Sequence, residues 1–177
     1  SMGGLVVRML MASPKLSEVW EQIAKRPSSH LVMLGTPNQG SYAAVESLIG
    51  KGQGMRYLAS LDFHHNLQQV LDVIGEFDGL LHLLPTDHSP ENALDYFDPK
   101  TWEQLKNLNR DRWFGNGQGF GAVPSKARLN AAKKAWELLK QQEASAIPHA
   151  DRIAYVFGVD THTPLTLKIE DDKLVLE

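Results

Sequence analysis

Residues 29–41, S-H-L-V-M-L-G-T-P-N-Q-G-S, combine a strand pattern with a turn pattern. The first half is a continuous apolar run that closes at Gly35, and its length and flanks favour a buried strand over a helix. Strands that are apolar on both faces are typical of the interior of a parallel sheet. The stretch therefore predicts a core strand, followed at its carboxyl end by a loop that contains proline and glycine.

A second run of the same kind occupies residues 152–159, R-I-A-Y-V-F-G-V. It is also apolar, and a long, mostly helical segment separates it from the first run. Parallel strands need a long crossover connection, whereas antiparallel strands can be joined by a short turn. The sequence therefore predicts an α/β fold in which the two runs are neighbouring parallel strands, with a large helical cap between them.

The flanking segments predict the remaining elements. Residues 3–12 are apolar around Arg8, and Ser13-Pro14 has the N-cap and first-position proline that open a helix, which runs to about Arg26. The other predicted elements are helices over residues 41–49, along the apolar stripe at residues 67–77 and from the cap Ser125 to about residue 140, then a hairpin over residues 165–177.

Composition and charge limit the possible functions. The chain has 177 residues, 42% of them hydrophobic and 22% charged, which fits a globular protein with its own core. The net charge of -3 gives no indication of a nucleic-acid partner. There is no cysteine, which excludes disulfides and thiolate metal sites, and no apolar run approaches the ~18 residues of a membrane span.

The N-terminal residues S-M-G-G-L-V-V-R have the features of the second half of a nucleophile elbow. In such a turn Ser1 would be the nucleophile, and the backbone N–H of Met2 would belong to the oxyanion hole. Gly3 and Gly4 would let the following helix pack closely on a strand. The alternative is that Ser-Met is a remnant of tag removal, since the Gly-x that precedes the serine of the motif is absent.

The elbow and the L-G-T-P-N-Q-G-S stretch together resemble α/β-hydrolase lipases, in the branch related to lecithin–cholesterol acyltransferase. Two further stretches are similar to that branch in the same order, F-D-G-L-L-H-L-L-P at residues 77–85 and Y-V-F-G-V-D-T-H-T-P at residues 155–164. The resemblance implies a partial α/β-hydrolase domain in three segments. Residues 1–49 would be the elbow helix and core strand, 50–124 the cap or lid, and 125–177 the core helix, strand and hairpin.

The resemblance also implies an activity. Ser1 would attack an ester or lipid carbonyl, the Met2 N–H would hold the oxyanion, and water or an alcohol would resolve the acyl-enzyme. No metal or cofactor is implied. The family's catalytic Asp and His have no counterpart here, because the chain ends where the Asp segment should follow. The chain is therefore expected to be inactive alone and to need the remainder of the hydrolase domain as a partner.

The cap contains the expected substrate-binding residues. They are apolar residues predicted to be exposed on a flexible, glycine-rich flap: Leu80, Leu81, Leu84, Trp113 and Phe114. For the leucines of residues 80–84, the alternative is that they are core residues of a rigid cap. Asp160 and His162 are not expected to be triad members, and the pair His64-His65 is not expected to bind metal, because adjacent side chains on a helix do not converge. Two rival interpretations are a non-catalytic, hydrolase-derived interaction module and an unrelated helical interaction domain.

Overall fold

A computed structural model describes residues 2–86, 94–110, 117–144, 150–159, 166–170 and 173–176. The elements in chain order are the helices α1 (Gly3–Ala12) and α2 (Ser17–Ala24), the strand β1 (Leu31–Leu34), the helices α3 (Tyr42–Leu48), α4 (Gln53–Leu61), α5 (Leu67–Ile74), α6 (Asp78–Leu81), α7 (Pro99–Leu108) and α8 (Lys126–Ala144), a 3-10 turn (Ala150–Arg152), and the strands β2 (Ile153–Val156), β3 (Leu167–Glu170) and β4 (Lys173–Leu176). The fold is broadly α/β.

The two apolar runs pair as predicted, but the prediction that both are buried strands is wrong. Met33 is the one buried residue of the pair, because among the described residues this sheet has two strands and most of their side chains are left uncovered. β1 and β2 are parallel, with Leu31 opposite Ile153 and Leu34 opposite Val156. The Gly35 N–H continues the ladder by donating to the Val156 carbonyl at 2.8 Å. The predicted hairpin is also present, because β3 and β4 are antiparallel with Leu167 opposite Leu176.

The described chain divides into two compact units. The first consists of residues 1–38 and 134–161, and the second of residues 39–133 and 162–177. The boundaries of these units differ from those of the three segments expected from the sequence. The first unit contains α1, α2, β1, β2 and the end of α8, whereas the second contains α3 to α7, the start of α8 and the β3–β4 hairpin.

Most of the buried apolar side chains belong to the second unit. Those of α5, α7 and the start of α8 with 3% exposure or less are Leu67, Leu71, Trp102, Leu105, Leu129 and Ala132. They recur at helical spacing, so the predicted stripes of α5 and α8 are core faces. The buried apolar residues of the first unit are fewer and comprise Leu5, Ala24, Met33, Trp136 and Leu139.

The structure corrects two predicted helix boundaries and adds one helix that was not predicted. Ser13 closes α1, since its N–H donates to the Met9 carbonyl, and its own carbonyl accepts from Leu16 and Ser17 in a turn before α2. Phe77 lies beyond the end of α5 and is 56% exposed. The segment after Gly50, expected to be broken by glycines, contains the helix α4, none of whose residues is buried.

Candidate functional site

The start of α1 is packed against the loop that follows β1. A Cβ atom on Gly4 would lie 2.6 Å from Cγ2 and 2.8 Å from Cβ of Thr36 and would clash with the Thr36 hydroxyl. By contrast, a Cβ atom on Gly3 would meet nothing within 4 Å. Only glycine therefore fits at position 4. Because Gly4 has no side chain, the N-terminus of α1 can lie directly beside the Gly-Thr-Pro loop.

Met2 occupies the N-cap position of α1. Its carbonyl accepts hydrogen bonds from the N–H groups of Leu5 at 3.0 Å and Val6 at 3.3 Å, which start the helix. The first N–H groups of a helix have no intrahelical acceptor, and they lie at the positive end of the helix dipole. These N–H groups could stabilise a negative charge. Ser1, the expected nucleophile, lies outside the described residues.

Arg8 lies one helical turn further along α1 and is buried, with 1% of its surface exposed. Its guanidinium donates to Asn38 Oδ1 at 2.9 Å and to the Leu139 carbonyl at 3.2 Å. It also contacts Gln142 Oε1 at 3.3 Å and Glu143 Oε1 at 2.5 Å. These bonds join α1 to the loop after β1 and to the end of α8.

The sequence pattern did not predict that Arg8 is buried and bonded to distant parts of the chain. A lone arginine in an apolar run indicates a buried ion pair as readily as an exposed edge of the helix. Its acceptors come from residues about 30 and 130 positions away, which no local pattern connects. The network fixes the loop that contains Asn38, two residues after the Thr36 side chain that contacts Gly4.

The loop continues into the second unit at Gln39. There the Ser41 N–H donates to the Leu83 carbonyl at 2.8 Å, and the Thr86 N–H donates to the Gln39 carbonyl at 3.0 Å. Gly40 has a φ of +88°, and a Cβ atom on it would clash with the Leu84 carbonyl. This glycine therefore has both the conformation and the close backbone approach that exclude other residues.

The expected substrate-binding residues are differently placed. Leu81 and Leu84 have 0% exposure, so the expectation that they are exposed is wrong. They are core residues because the turn 77–84 packs its apolar side into the second unit. Leu80 is half-buried. Trp113 and Phe114 lie outside the described residues.

The histidines give no metal site within the described ranges, where no group of three or more His, Cys, Asp or Glu residues could hold an ion. His64 and His65 are exposed, and His65 Nδ1 lies 2.8 Å from Asp62 Oδ2. The hydrogen bond from the His64 N–H, followed by that from the His65 side chain, lowers the pKa of Asp62. Asp160 and His162 lie outside the described residues.

An aromatic cluster in the second unit contains a buried hydroxyl without a hydrogen-bond partner. Tyr96 is 1% exposed, and its ring packs edge-on to Tyr42 with the centroids 6.1 Å apart. Among the described atoms the Tyr96 hydroxyl has no hydrogen-bond partner. Burial, and secondarily the neighbouring Tyr42, raises the pKa of Tyr96. A phenol in this environment stays protonated.

A small cavity in the first unit lies between α2 and the start of the sheet. Its lining includes Trp20, Ile23, Leu31 and Arg152, and its volume is about 20 Å³. Arg152 is held there by donating to the carbonyls of Ala24 at 2.7 Å and Arg26 at 3.1 Å.

Comparison with known proteins gives no relative: no family model, curated protein or solved structure matches this chain. No helix in the described ranges is long and apolar enough to cross a membrane.

Proposed function

We propose that the chain is a segment of a serine esterase, lipase or acyltransferase of the α/β-hydrolase type, with Ser1 at the nucleophile position. The observation that carries the proposal is the clash that a Cβ atom on Gly4 would make with Thr36. In a nucleophile elbow, small residues after the serine allow such close packing of helix on strand. The neighbouring Gly3 has free space, so the requirement for glycine is confined to one position.

The parallel pair gives a second line of support. The Gly35–Thr36 turn follows the carboxyl end of β1, and α1 begins beside it. Ligands of open α/β sheets bind in the crevice at the carboxyl ends of the parallel strands. The α1 N-terminus therefore lies where such a site would be expected.

The proposed chemistry is acyl transfer. The Ser1 hydroxyl attacks the carbonyl of an ester or lipid after losing its proton to a histidine supplied by further polypeptide, and the tetrahedral oxyanion accepts from the Met2 N–H. The intermediate collapses as the ester C–O bond breaks, and the leaving alcohol takes the proton from the histidine, which leaves the acyl group on Ser1. Water or an acceptor alcohol then attacks this acyl-enzyme, and the proton that it loses returns through the histidine to Ser1. Leu80, Trp113 and Phe114 remain the proposed contacts for the apolar part of the substrate, whereas Leu81 and Leu84 are buried and therefore not available to it.

A non-catalytic interaction module is the second candidate. It is favoured by the exposure of β2 and of the residues that follow it, because residues 154–159 are all at the surface. A module of this kind would need no catalytic triad. The two candidates differ in whether Ser1 has any chemical reactivity.

Imidazole rescue distinguishes them. Hydrolysis of p-nitrophenyl butyrate is measured with and without imidazole for the wild type, Ser1→Ala and the control Ser60→Ala, an exposed serine whose hydroxyl bonds to the Tyr57 carbonyl. The enzyme proposal predicts turnover that requires both imidazole and Ser1, because imidazole supplies the missing base. Equal rates for the wild type and Ser1→Ala would refute the enzyme proposal. Turnover that requires Ser1 but not imidazole would show that this chain supplies its own general base.

A further inference from the structure

β2 and the residues after it are exposed on both faces. Residues 154–159, A-Y-V-F-G-V, are all at the surface, with Tyr155 48%, Val156 53% and Phe157 78% exposed. β1 differs, because Met33 is buried and Leu31 is half-buried. In the described part of the chain β2 pairs only with β1, so its other edge is open.

The backbone of β2 directs specific groups to that open edge. The Val156 carbonyl accepts from Gly35 N–H at 2.8 Å and therefore points towards β1. Successive residues of a strand direct their N–H and C=O groups to alternate sides. Tyr155 and Phe157 consequently present their donors and acceptors outwards.

Nothing in the sequence protects this edge from pairing. Natural edge strands are blocked by lysine, proline, bulges or inward-pointing charges. Residues 154–159 contain neither charge nor proline and are rich in aromatic and β-branched side chains. The β3–β4 hairpin, by comparison, carries Lys168, Glu170 and Lys173.

We propose that the open edge of β2 pairs antiparallel with β2 of a second copy of this chain, around a two-fold axis at Val156. Tyr155 then lies opposite Phe157 of the other copy, in pairs that exchange the outward N–H and C=O groups. Val156 faces its own symmetry mate in a non-hydrogen-bonded pair, and Ala154 faces Gly158. The inference rests on the second candidate function, the interaction module, and its test does not depend on the reactivity of Ser1.

The second copy is the occupant that the chemistry favours. An isologous pair must be self-complementary, and an uncharged strand places no like charges opposite each other. The register puts an aromatic residue opposite an aromatic residue twice and valine opposite valine once, and cross-strand pairs of these types stabilise antiparallel strands. Gly158 has open space around it, so its small size suits the position opposite Ala154.

Cysteine cross-linking tests the register. The chain has no cysteine, so an introduced thiol is unique. Val156→Cys places two thiols at a non-hydrogen-bonded pair, where Cα separations of about 4.5 Å suit a disulfide. Val32→Cys is the matched control, because Val32 is 54% exposed and lies on the neighbouring strand opposite Ala154.

We expect Val156→Cys to form the disulfide dimer at least tenfold faster than Val32→Cys under mild oxidation. Equal rates would overturn the edge pairing. Sedimentation provides an independent readout: the wild type should form dimers reversibly with rising concentration, and Val156→Lys should weaken dimerisation at least tenfold while Val32→Lys leaves it unchanged. A wild type that stays monomeric, or that forms open-ended oligomers, would overturn the proposal.

Discussion

Gly3 and Gly4 are adjacent in sequence, yet their surroundings give them opposite roles. Gly4→Ala forces its methyl group onto Thr36, so we expect a loss of about 1–3 kcal/mol of unfolding free energy, as for other overpacked sites. Gly3→Ala adds a methyl group in open space within a helix, and we expect a gain of about 0.5–1 kcal/mol. Urea denaturation of both variants measures the difference.

The double variant Gly4→Ala/Thr36→Gly provides the control for this prediction. Removing the Thr36 side chain relieves the clash, so the cost of Gly4→Ala should fall in that background. Equal costs in the presence and absence of the Thr36 side chain would show that helix and loop are not in close contact, and would remove the main support for the elbow.

The buried hydroxyl of Tyr96 should make the unfolding free energy fall with rising pH in the alkaline range. Because burial raises the pKa of Tyr96, the unfolded state ionises first, near the ordinary value of 10.0. The stabilisation is complete below that pH and is lost as the pH rises above it. We therefore expect the wild type to lose unfolding free energy above pH 10 more steeply than Tyr96→Phe does.

At pH 7 Tyr96→Phe should leave the unfolding free energy unchanged or raise it by about 1 kcal/mol, because it removes a buried hydroxyl that has no partner among the described atoms. Thermal unfolding of the wild type and Tyr96→Phe at pH 7 and at pH 10.5 measures both effects. A marked loss of stability in Tyr96→Phe at pH 7 would show that the hydroxyl makes a hydrogen bond.

At the scale of elements, Arg8 connects α1, the loop after β1 and the end of α8. Arg8→Met leaves the buried Gln142 and the Leu139 carbonyl without their donor, so we expect a loss of about 2–4 kcal/mol in unfolding free energy. Arg128→Met is the matched control, since Arg128 also bonds acceptors from distant residues, the carboxylates of Glu76 and Asp78 at 2.6 Å, but at the surface.

The surface pairs of Arg128 should contribute little to the unfolding free energy, because solvent screens them. Denaturation of the two methionine variants under the same conditions compares a buried network with an exposed one. Similar losses would contradict the assignment of Arg8 as the residue that joins these elements.

At the scale of the whole molecule, the distribution of buried apolar residues predicts where the backbone is protected. The second unit buries more apolar side chains than the first, including those of α5 and α7. We expect the amides of α5 and α7 to exchange with solvent more slowly than those of β1 and β2, measured at a concentration that keeps the chain monomeric. α4, which buries no residue, should exchange fast.

This expectation differs from a cap that is mobile throughout. Because Leu81 and Leu84 are core residues, we expect mobility in the described part of residues 50–124 to be confined to segments such as α4. Fast exchange along α5 and α7 as well as α4 would contradict this expectation and support a cap that is mobile throughout. The comparison of α4 with α5 is internal, since both belong to the same unit and differ mainly in burial.

Local pattern in the sequence was sufficient for the main elements. The two apolar runs predicted β1, β2 and their parallel pairing, because continuous hydrophobicity and a long crossover leave few other arrangements. The spacing of apolar residues in α5 and α8 likewise predicted their buried faces. The C-terminal alternation around Asp171-Asp172 predicted the β3–β4 hairpin.

Tertiary structure decided what no local pattern contains. The burial of Arg8 depends on acceptors distant in the chain, the need for glycine at position 4 depends on Thr36, and the burial of Leu81 and Leu84 depends on the packing of the second unit. Apolar residues of similar type are core in α6 and exposed in β2. Hydrophobicity indicates that a side chain can be buried, but only the positions of other elements determine whether it is.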